Sequence, residues 1–341
     1  MIVDDKGIKD GWKEYMEKLM NEENEWDHKI SAEVKEGPAD CITMDEVRAA
    51  LKKMKRHKAP GLSGLVTEMI QATGDTGTQW ILDVCNGIVK EGSMPEDWKS
   101  SVVLPVYKGK GDPMECGSYR GMKMLEHAMK VVERIFEYRI RQQIEIDDMQ
   151  FGFVKGKGTV DARQIQENFR VKGRKLYFGF VDLEKAFDRV PREVISWATC
   201  KLGVEEWLVL AVMSMYTGAK TVVRTVYGNS KGFEVKVGMH QGSALSPLLF
   251  VIVMEAISRE FRVALPWELL YADDLAVIAE TEEELINGPI TIAIRARFEY
   301  DSSTILARFG YNTLQHATRF FVRSHTRSYT RISGRRVLHV D

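Results

Sequence analysis

The sequence of 341 residues has little cysteine, no long hydrophobic run and almost no net charge. Its four cysteines are scattered without a Cys-x-x-Cys pair, which argues against a disulfide framework or a zinc site and fits a reducing compartment. The most apolar run, 248–254, is far shorter than the roughly 20 residues of a membrane-spanning helix. The charged residues just after the first methionine do not resemble a secretory signal. We therefore expect a soluble intracellular protein with no membrane partner, and both nucleus and cytoplasm stay open.

Charge is balanced over the whole chain but uneven along it. The 48 Lys and Arg against 49 Asp and Glu exclude a uniformly basic nucleic-acid coat protein. Residues 99–175, however, contain sixteen Lys and Arg against ten Asp and Glu. On charge alone, this segment is either a solvated surface or a basic lobe that faces phosphate groups. The length of the chain favours about two domains.

Lysine is absent beyond Lys236, and the last part of the chain differs in composition from the rest. Residues 289–341 hold nine arginines against three acids, and segments such as RSHTRSYTRISGRR (323–336) show no clear apolar period. This part is either a basic tail that binds nucleic acid or a poorly folded, foreign segment. We favour the second interpretation.

Two apolar stretches with acids in them are typical of β-strands. They are KLYFGFVDLEKAF (175–187) and WELLYADDLAVIAE (267–280), and the second has the pattern of a hairpin. Helical periodicity runs through residues 44–58, 192–217 and 245–261. Strands mixed with helices, without strict βαβ alternation, predict an α+β fold with an antiparallel sheet.

Three aspartates form the strongest candidate site. Asp182 ends the apolar run 177–181, where an ionised carboxylate needs a partner because its burial alone is unfavourable. Asp273 and Asp274 are adjacent at the hairpin tip and repel each other unless a cation binds them, and such oxygen ligands suit Mg²⁺. Two strands that bring these acids to one sheet edge would hold two ions roughly 3.5–4 Å apart, as in-line phosphoryl transfer requires. Turn and strand-end aspartates without a function are the alternative.

Further motifs accompany these acids in a fixed order. The first three are VDLEKAFDRV (181–190), GMHQGSALSPLLF (238–250) and LLYADDLAVI (269–278). Upstream are KAPGLSGLVTEMI (58–70), SVVLPVYKGKGDPMECGSYRGMKML (101–125) and QFGFVKGKGTVDA (150–162). In this order, the motifs resemble the palm and fingers of the reverse transcriptases of non-LTR (LINE-type) retrotransposons. The resemblance covers roughly residues 40–285.

The resemblance implies a right-hand polymerase with fingers, a palm built on an antiparallel sheet, and no thumb, because the chain departs from the family after the Y-A-D-D motif. The implied parts are an N-terminal helical connector (1–57), fingers (58–175), palm (176–285) with a returning fingers segment at about 218–237, and a non-homologous, poorly ordered tail (286–341). We also expect the chain to be an internal piece of a larger retrotransposon polyprotein.

The resemblance also implies the metal ligands and the substrates. Asp182, Asp273 and Asp274 are expected to bind two Mg²⁺ ions, with Mn²⁺ as an alternative, and Asp182 is expected to bridge both. The implied partners are an RNA template, a DNA primer and a dNTP. The implied reaction is transfer of a nucleotide to the primer 3′-hydroxyl.

Three palm residues match family positions that contact the nucleotide. Phe187 matches the aromatic residue beneath the incoming sugar, whose flat ring leaves no room for a 2′-hydroxyl; a buried core phenylalanine is the alternative. Gln241 and Gly242 match a Q-G pair at which the backbone approaches the base pair and the glutamine amide hydrogen-bonds template or nucleotide.

Several basic and glycine residues match the fingers. Lys108 and Arg120 fall where the family places cations on the triphosphate, with Lys110 as a competitor for that role. The residues that match the template-binding loop are Phe151, Gly152, Lys155 and Lys157.

The sequence is therefore identified as similar to an RNA-directed DNA polymerase domain. A catalytically inactive remnant that at most binds nucleic acid remains an alternative, because the thumb and a lysine after Y-A-D-D are missing. A different two-metal enzyme, such as an RNA-dependent RNA polymerase or a nuclease, is a third. Phe187 argues against the RNA polymerase.

Overall fold

The computed structural model describes most of the first 261 residues and several strands beyond them. The described residues are 4–22, 30–148, 150–153, 177–182, 186–261, 267–271, 274–279, 311–312, 330–332 and 335–337. The chain divides into two compact units, 1–23 with 31–145 and 187–249, and 24–30 with 146–186 and 250–341.

Helices and strands alternate irregularly along the described chain. The helices are α1 (Asp5–Asn21), α2 (Met44–Lys53), α3 (Thr67–Ala72), α4 (Gly74–Glu91), α5 (His127–Gln143), α6 (Ala186–Arg189), α7 (Arg192–Lys201), α8 (Glu206–Ser214) and α9 (Ser246–Phe261). The strands are β1 (Ser100–Tyr107), β2 (Tyr119–Met124), β3 (Tyr177–Asp182), β4 (Lys220–Thr225), β5 (Gly228–Asn229), β6 (Phe233–Glu234), β7 (Trp267–Tyr271), β8 (Asp274–Ala279), β9 (Tyr311–Asn312), β10 (Thr330–Ile332) and β11 (Arg335–Val337).

The sheet of the first unit has the strand order β2-β1-β4-β5, and β6 also pairs with β4. Strands β1 and β2 are antiparallel, whereas β1 and β4 are parallel, with Val102 opposite both Met124 and Val222. Helix α1 packs on this sheet through its apolar residues. The buried cluster consists of Met16, Leu19, Met20, Val103, Val223, Phe233 and Val235.

Local sequence signals explain where several helices begin and end. Helix α2 begins with a capping box, in which Thr43 Oγ1 accepts from the Glu46 amide (3.3 Å) and Glu46 Oε2 accepts from the Thr43 amide (2.9 Å). It ends at Lys53, before the Pro/Gly segment 59–64. The helical periodicity of residues 192–217 corresponds to two helices, α7 and α8, because Gly203 has a φ of 82° between them.

The second unit contains an antiparallel sheet with the order β7-β8-β3-β9. The predicted hairpin is confirmed: β7 and β8 pair from Tyr271↔Asp274 to Trp267↔Ile278. The α+β fold with an antiparallel sheet is also confirmed. Strands β9, β10 and β11 lie in the segment predicted as the tail, 286–341. In the described part of the chain, no helix is long and apolar enough to cross a membrane.

Candidate functional site

Two of the three predicted metal ligands are direct partners across neighbouring strands. Asp182, the last residue of β3, lies opposite Asp274, the first residue of β8. Directly opposite residues of antiparallel strands have Cα atoms roughly 4.5–5.5 Å apart and share a face of the sheet. Asp273 precedes Asp274 in the sequence and lies outside the described residues. The register therefore brings two acids to one end of the sheet, although they are distant in sequence.

The donor chemistry of this sheet end fits a divalent cation. Two carboxylates on neighbouring strands repel each other unless positive charge lies between them. Carboxylate oxygens are hard ligands of the kind that Mg²⁺ and Mn²⁺ prefer. Among the side chains that the structure describes, no cluster of three or more His, Cys, Asp or Glu could hold a metal ion. The cross-strand pairing of Asp182 with Asp274 is what makes this sheet end the candidate metal site.

The predicted nucleotide-contacting pair, Gln241 and Gly242, lies in a tightly held loop of the first unit. The Lys123 amide donates to the Gln241 carbonyl (2.8 Å), and Gln241 Nε2 donates to Asp188 Oδ2 (2.8 Å). Gly242 has a φ of 106°, and a Cβ atom there would lie 2.5 Å from the Lys123 carbonyl oxygen. Glycine is therefore required both by the backbone conformation and by the close approach of β2.

A buried carboxylate of α5 holds the next residues of this loop. Glu133 Oε1 accepts from Ser243 Oγ (2.6 Å), and Oε2 accepts from the Ala244 amide (2.8 Å). Ser243 Oγ in turn accepts from the Leu245 amide (3.0 Å) just before α9. Burial raises the pKa of Glu133, and these hydrogen bonds oppose that rise. Sequence reasoning missed Glu133, because it looks like an ordinary residue of an amphipathic helix.

Charged and aromatic groups are buried beside the loop. Burial lowers the pKa of Lys123 to about 8, although the charge of Asp188 acts in the opposite direction. Burial, together with the charges of Lys123 and Arg192, holds the pKa of His240 well below its ordinary value. The His240 ring lies 4.6 Å from the Tyr216 ring, between centroids. A neutral imidazole packed in this way acts as an aromatic core group. Sequence reasoning also missed Lys123, because nothing in the local pattern of β2 marks this lysine as buried.

Phe187 lies in the short helix α6, and its side chain is half-buried. Its carbonyl oxygen accepts from the Met239 amide (2.7 Å), and the Val190 carbonyl accepts from the Gly238 amide (3.0 Å). Gly238 has a φ of 79°, and a Cβ there would lie 2.5 Å from the Asp188 carbonyl oxygen. The backbone of α6 is thus joined to the loop that carries Gln241.

The two predicted triphosphate-binding cations differ in their surroundings. Lys108 Nζ donates to the Gly117 carbonyl (2.9 Å), across the connection between β1 and β2. Arg120 is exposed on β2, opposite Val106. Within the described residues, no hydrogen bond or ion pair engages the Arg120 guanidinium. Arg120 is thus the better placed of the two to bind an added anion.

The predicted template loop is described only at its beginning. Phe151 and Gly152 are buried, and the Gly152 amide donates to Gln150 Oε1 (2.9 Å). Lys155 and Lys157 lie outside the described residues. The template prediction therefore depends on these two lysines, because a buried Phe151 contributes through packing.

Known proteins resemble this chain over most of its length. The Drosophila funebris RNA-directed DNA polymerase from mobile element jockey is 29% identical over 257 residues, which cover 72% of this chain and 28% of the relative. The putative 115 kDa protein of the Drosophila melanogaster type-1 retrotransposable element R1DM is 29% identical over 249 residues, covering 70% of this chain and 24% of that protein. Apo telomerase from Candida tropicalis, truncated from the C-terminal domain, gives a TM-score of 0.47 at 12% identity, over 70% of this chain and 55% of that one.

The family profile described as reverse transcriptase (RNA-dependent DNA polymerase) matches residues 107–298. Members of that family use divalent metal ions and bind nucleic acid. The matched segment includes the candidate metal site and the Gln241 loop. The relatives are proteins of non-LTR retrotransposons, as the sequence motifs predicted. Because the matched segment covers more than half of its residues, this chain belongs to the reverse transcriptase family.

Proposed function

We propose that this chain is the RNA-directed DNA polymerase domain of a non-LTR retrotransposon. Its reaction is the template-directed transfer of a nucleotide from a dNTP to the 3′-hydroxyl of a DNA primer. The new bond forms at the α-phosphate as the bond between the α- and β-phosphates breaks, and pyrophosphate leaves. One observation carries the proposal: the register of β3 and β8 pairs Asp182 with Asp274, next in sequence to Asp273. The family match supports it.

In this proposal, Asp182, Asp273 and Asp274 hold two Mg²⁺ ions, for which Mn²⁺ can substitute. Ions bound there supply Lewis-acid stabilisation of an in-line displacement at the α-phosphate of the dNTP. Asp182 and Asp274 would help to hold the ions because they are opposite residues on neighbouring strands. The carboxylates themselves orient the ions and balance their charge.

Five further residues that match the family motifs bind the nucleotide in this proposal. Arg120, exposed on β2, and Lys108, at the end of β1, bind the triphosphate through charge-assisted hydrogen bonds. The half-buried ring of Phe187 lies beneath the sugar and excludes a 2′-hydroxyl. Gln241 hydrogen-bonds template or nucleotide, and Gly242 lets the backbone come close to the base pair.

The proposed nucleic-acid partners are an RNA template and a DNA primer. Template binding is assigned to the loop that contains Phe151, Gly152, Lys155 and Lys157, whose lysines suit a phosphate backbone. Base pairing supplies the sequence information, so no base-specific contact from the protein is required. The chain spans 24–28% of the jockey and R1 relatives described above, and we propose that further parts of a retrotransposon polyprotein act with it.

Primer extension tests the proposal directly. The full chain is incubated with oligo(dT)-primed poly(rA), dTTP and Mg²⁺, beside Asp182→Asn and Asp274→Asn variants. We expect extension by the unmodified chain and a loss of at least about 100-fold in each variant, because each change removes a metal-binding charge. Asp97→Asn is the matched control, since Asp97 is an exposed aspartate outside the site. It should extend the primer like the unmodified chain.

Three results would contradict the proposal. The first is extension that survives in Asp182→Asn and Asp274→Asn. The second is extension lost equally in Asp97→Asn. The third is no extension by a chain that is folded, as judged by circular dichroism, and that binds the primer–template. The last result would instead support a catalytically inactive remnant.

A further inference from the structure

Gln241 is fixed both by its backbone and by its side chain. Its carbonyl oxygen accepts from the Lys123 amide, and its Nε2 donates to Asp188 Oδ2, each at 2.8 Å. An ionised aspartate only accepts hydrogen bonds. The NH₂ group of Gln241 must therefore face Asp188, which leaves Oε1 on the other side of the carboxamide. Within the described part of the chain, no hydrogen bond occupies this oxygen.

Asp188 is itself held firmly. Its helix, α6, is joined to the loop by the hydrogen bonds Met239 amide to Phe187 carbonyl (2.7 Å) and Gly238 amide to Val190 carbonyl (3.0 Å). Asp188 is 9% exposed, and the charge of the buried Lys123 acts on its carboxylate. The backbone hydrogen bonds of α6 and the burial of the Asp188 side chain together hold this carboxylate in place.

The residues that follow Gln241 are fixed independently by Glu133. Its two carboxylate oxygens accept from Ser243 Oγ and from the Ala244 amide. The loop is therefore already anchored without Asp188. The hydrogen bond from Gln241 to Asp188 has a separate consequence, which is the orientation of one half-buried carboxamide.

We propose that Asp188 is a positioning residue that holds the Gln241 carboxamide in one orientation, with its oxygen as the atom offered to the bound nucleotide. The inference rests on the proposed polymerase function. A carboxamide held in this way presents an acceptor and selects a hydrogen-bond donor on the substrate. It disfavours phosphate oxygens, which a freely rotating amide would also bind through its NH₂ group.

A double-mutant cycle tests the proposal by enzyme kinetics. KM and kcat for dTTP are measured on oligo(dT)-primed poly(rA) for the unmodified chain, Asp188→Asn, Gln241→Ala and the double variant. We expect Asp188→Asn to raise KM about fivefold, with kcat within about twofold, because a charge-assisted hydrogen bond is weakened. In the Gln241→Ala background, Asp188→Asn should change KM by less than about twofold, since the two residues act as one unit.

Solvent exchange of the Gln241 amide tests the same contact without any turnover. In protein labelled with ¹⁵N-glutamine, the Gln241 side-chain NH₂ signals are identified by their absence from Gln241→Ala. We expect them to exchange with water at least about tenfold faster in Asp188→Asn than in the unmodified chain. Gln79 is the matched control, because its Nε2 donates to the exposed Asp83 (2.8 Å) and should not respond.

An equal rise in KM in both backgrounds, or an unchanged exchange rate for Gln241, would overturn the proposal. The first result would mean that Asp188 acts through Lys123 or through the loop in general. If the unmodified chain does not extend a primer, the polymerase function fails on its own. The exchange rates then still decide whether Asp188 orients Gln241.

Discussion

At the scale of single residues, buried charges position the loop that carries Gln241. Asp188 binds the glutamine side chain, and Glu133 binds the two residues after Gly242. Lys123 lies among these groups and is 3% exposed. A buried ammonium group is retained only where opposite charge offsets its desolvation, and Asp188 supplies part of that charge. The arrangement makes the stability of the first unit depend on pH.

The titration of Lys123 should raise stability as the solution becomes alkaline. Its pKa is about 8 in the folded chain against an ordinary value of 10.5, because the buried charged form is disfavoured. Between these values the unfolded chain binds more protons, so the free energy of unfolding rises with pH. Urea unfolding of the unmodified chain and of Lys123→Met measures this effect. Between about pH 7.5 and about pH 9.5, the free energy of unfolding of the unmodified chain should rise by about 2 kcal/mol more than that of Lys123→Met.

Lys231→Met is the matched control, because Lys231 is exposed. The free energy of unfolding of this variant should change with pH in the same way as that of the unmodified chain. If the free energy of unfolding of Lys123→Met also followed that of the unmodified chain, Lys123 would have an ordinary pKa in the folded chain.

At the scale of whole elements, α1 is part of the core of the first unit. The resemblance implied a helical connector at the N-terminus, and the buried side of α1 has the sheet as its partner. Met16 is completely buried there, against Val103 among others. The Val237 amide also donates to the Met20 carbonyl (3.0 Å), which joins the end of the helix to the segment after β6.

Shortening Met16 should therefore destabilise the first unit. Met16→Ala is expected to lower its free energy of unfolding by about 3 kcal/mol, because the change leaves a cavity between α1 and the sheet. Urea unfolding followed by circular dichroism measures the effect. Met114→Ala is the matched control, since Met114 is 81% exposed, and it should change stability by less than about 0.5 kcal/mol. Equal effects of the two variants would show that α1 does not contribute to the core.

At the scale of the whole molecule, the near-zero net charge conceals a basic segment. Residues 99–175 carry sixteen Lys and Arg against ten Asp and Glu, whereas residues 1–40 carry twelve acids against six lysines. Nucleic acid attracted by the basic segment releases counterions when it binds. The affinity of the chain for a primer–template should therefore depend on salt, although the molecule as a whole is almost neutral.

Fluorescence polarisation with a labelled RNA–DNA duplex measures this dependence. If about four phosphates are neutralised, the affinity should fall roughly 100-fold between about 50 mM and about 200 mM KCl. The double variant Lys155→Gln/Lys157→Gln should reduce the slope of log affinity against log salt concentration by about two. Changing the exposed Lys231 and Lys236 to Gln is the control and should leave the slope unchanged. Binding that does not depend on salt would contradict the prediction.

Local patterns were sufficient to predict several elements of this protein. Apolar runs on both sides of the short centre 272–274 predicted the hairpin of β7 and β8, because hairpin pairing depends on neighbouring residues. The helical periodicity of residues 44–58 and 245–261, which predicted α2 and α9, likewise depends on residues a few positions apart. The order of the motifs identified the family, which the profile match over 107–298 confirms.

Contacts between residues far apart in the sequence could not be predicted from such local patterns. Asp182 pairs with Asp274, Asp188 lies 53 residues from Gln241, and Glu133 lies 110 residues from Ser243. Such pairs form only where strand register and helix packing bring the segments together, and no local propensity encodes the distance between them. The sequence by itself determined which residues match the motifs of the family, and so which residue types the proposed chemistry can use. The tertiary structure decided which buried charged groups hold the loop that carries Gln241 in place, since the burial of a side chain and its hydrogen-bond partners are properties of the folded chain.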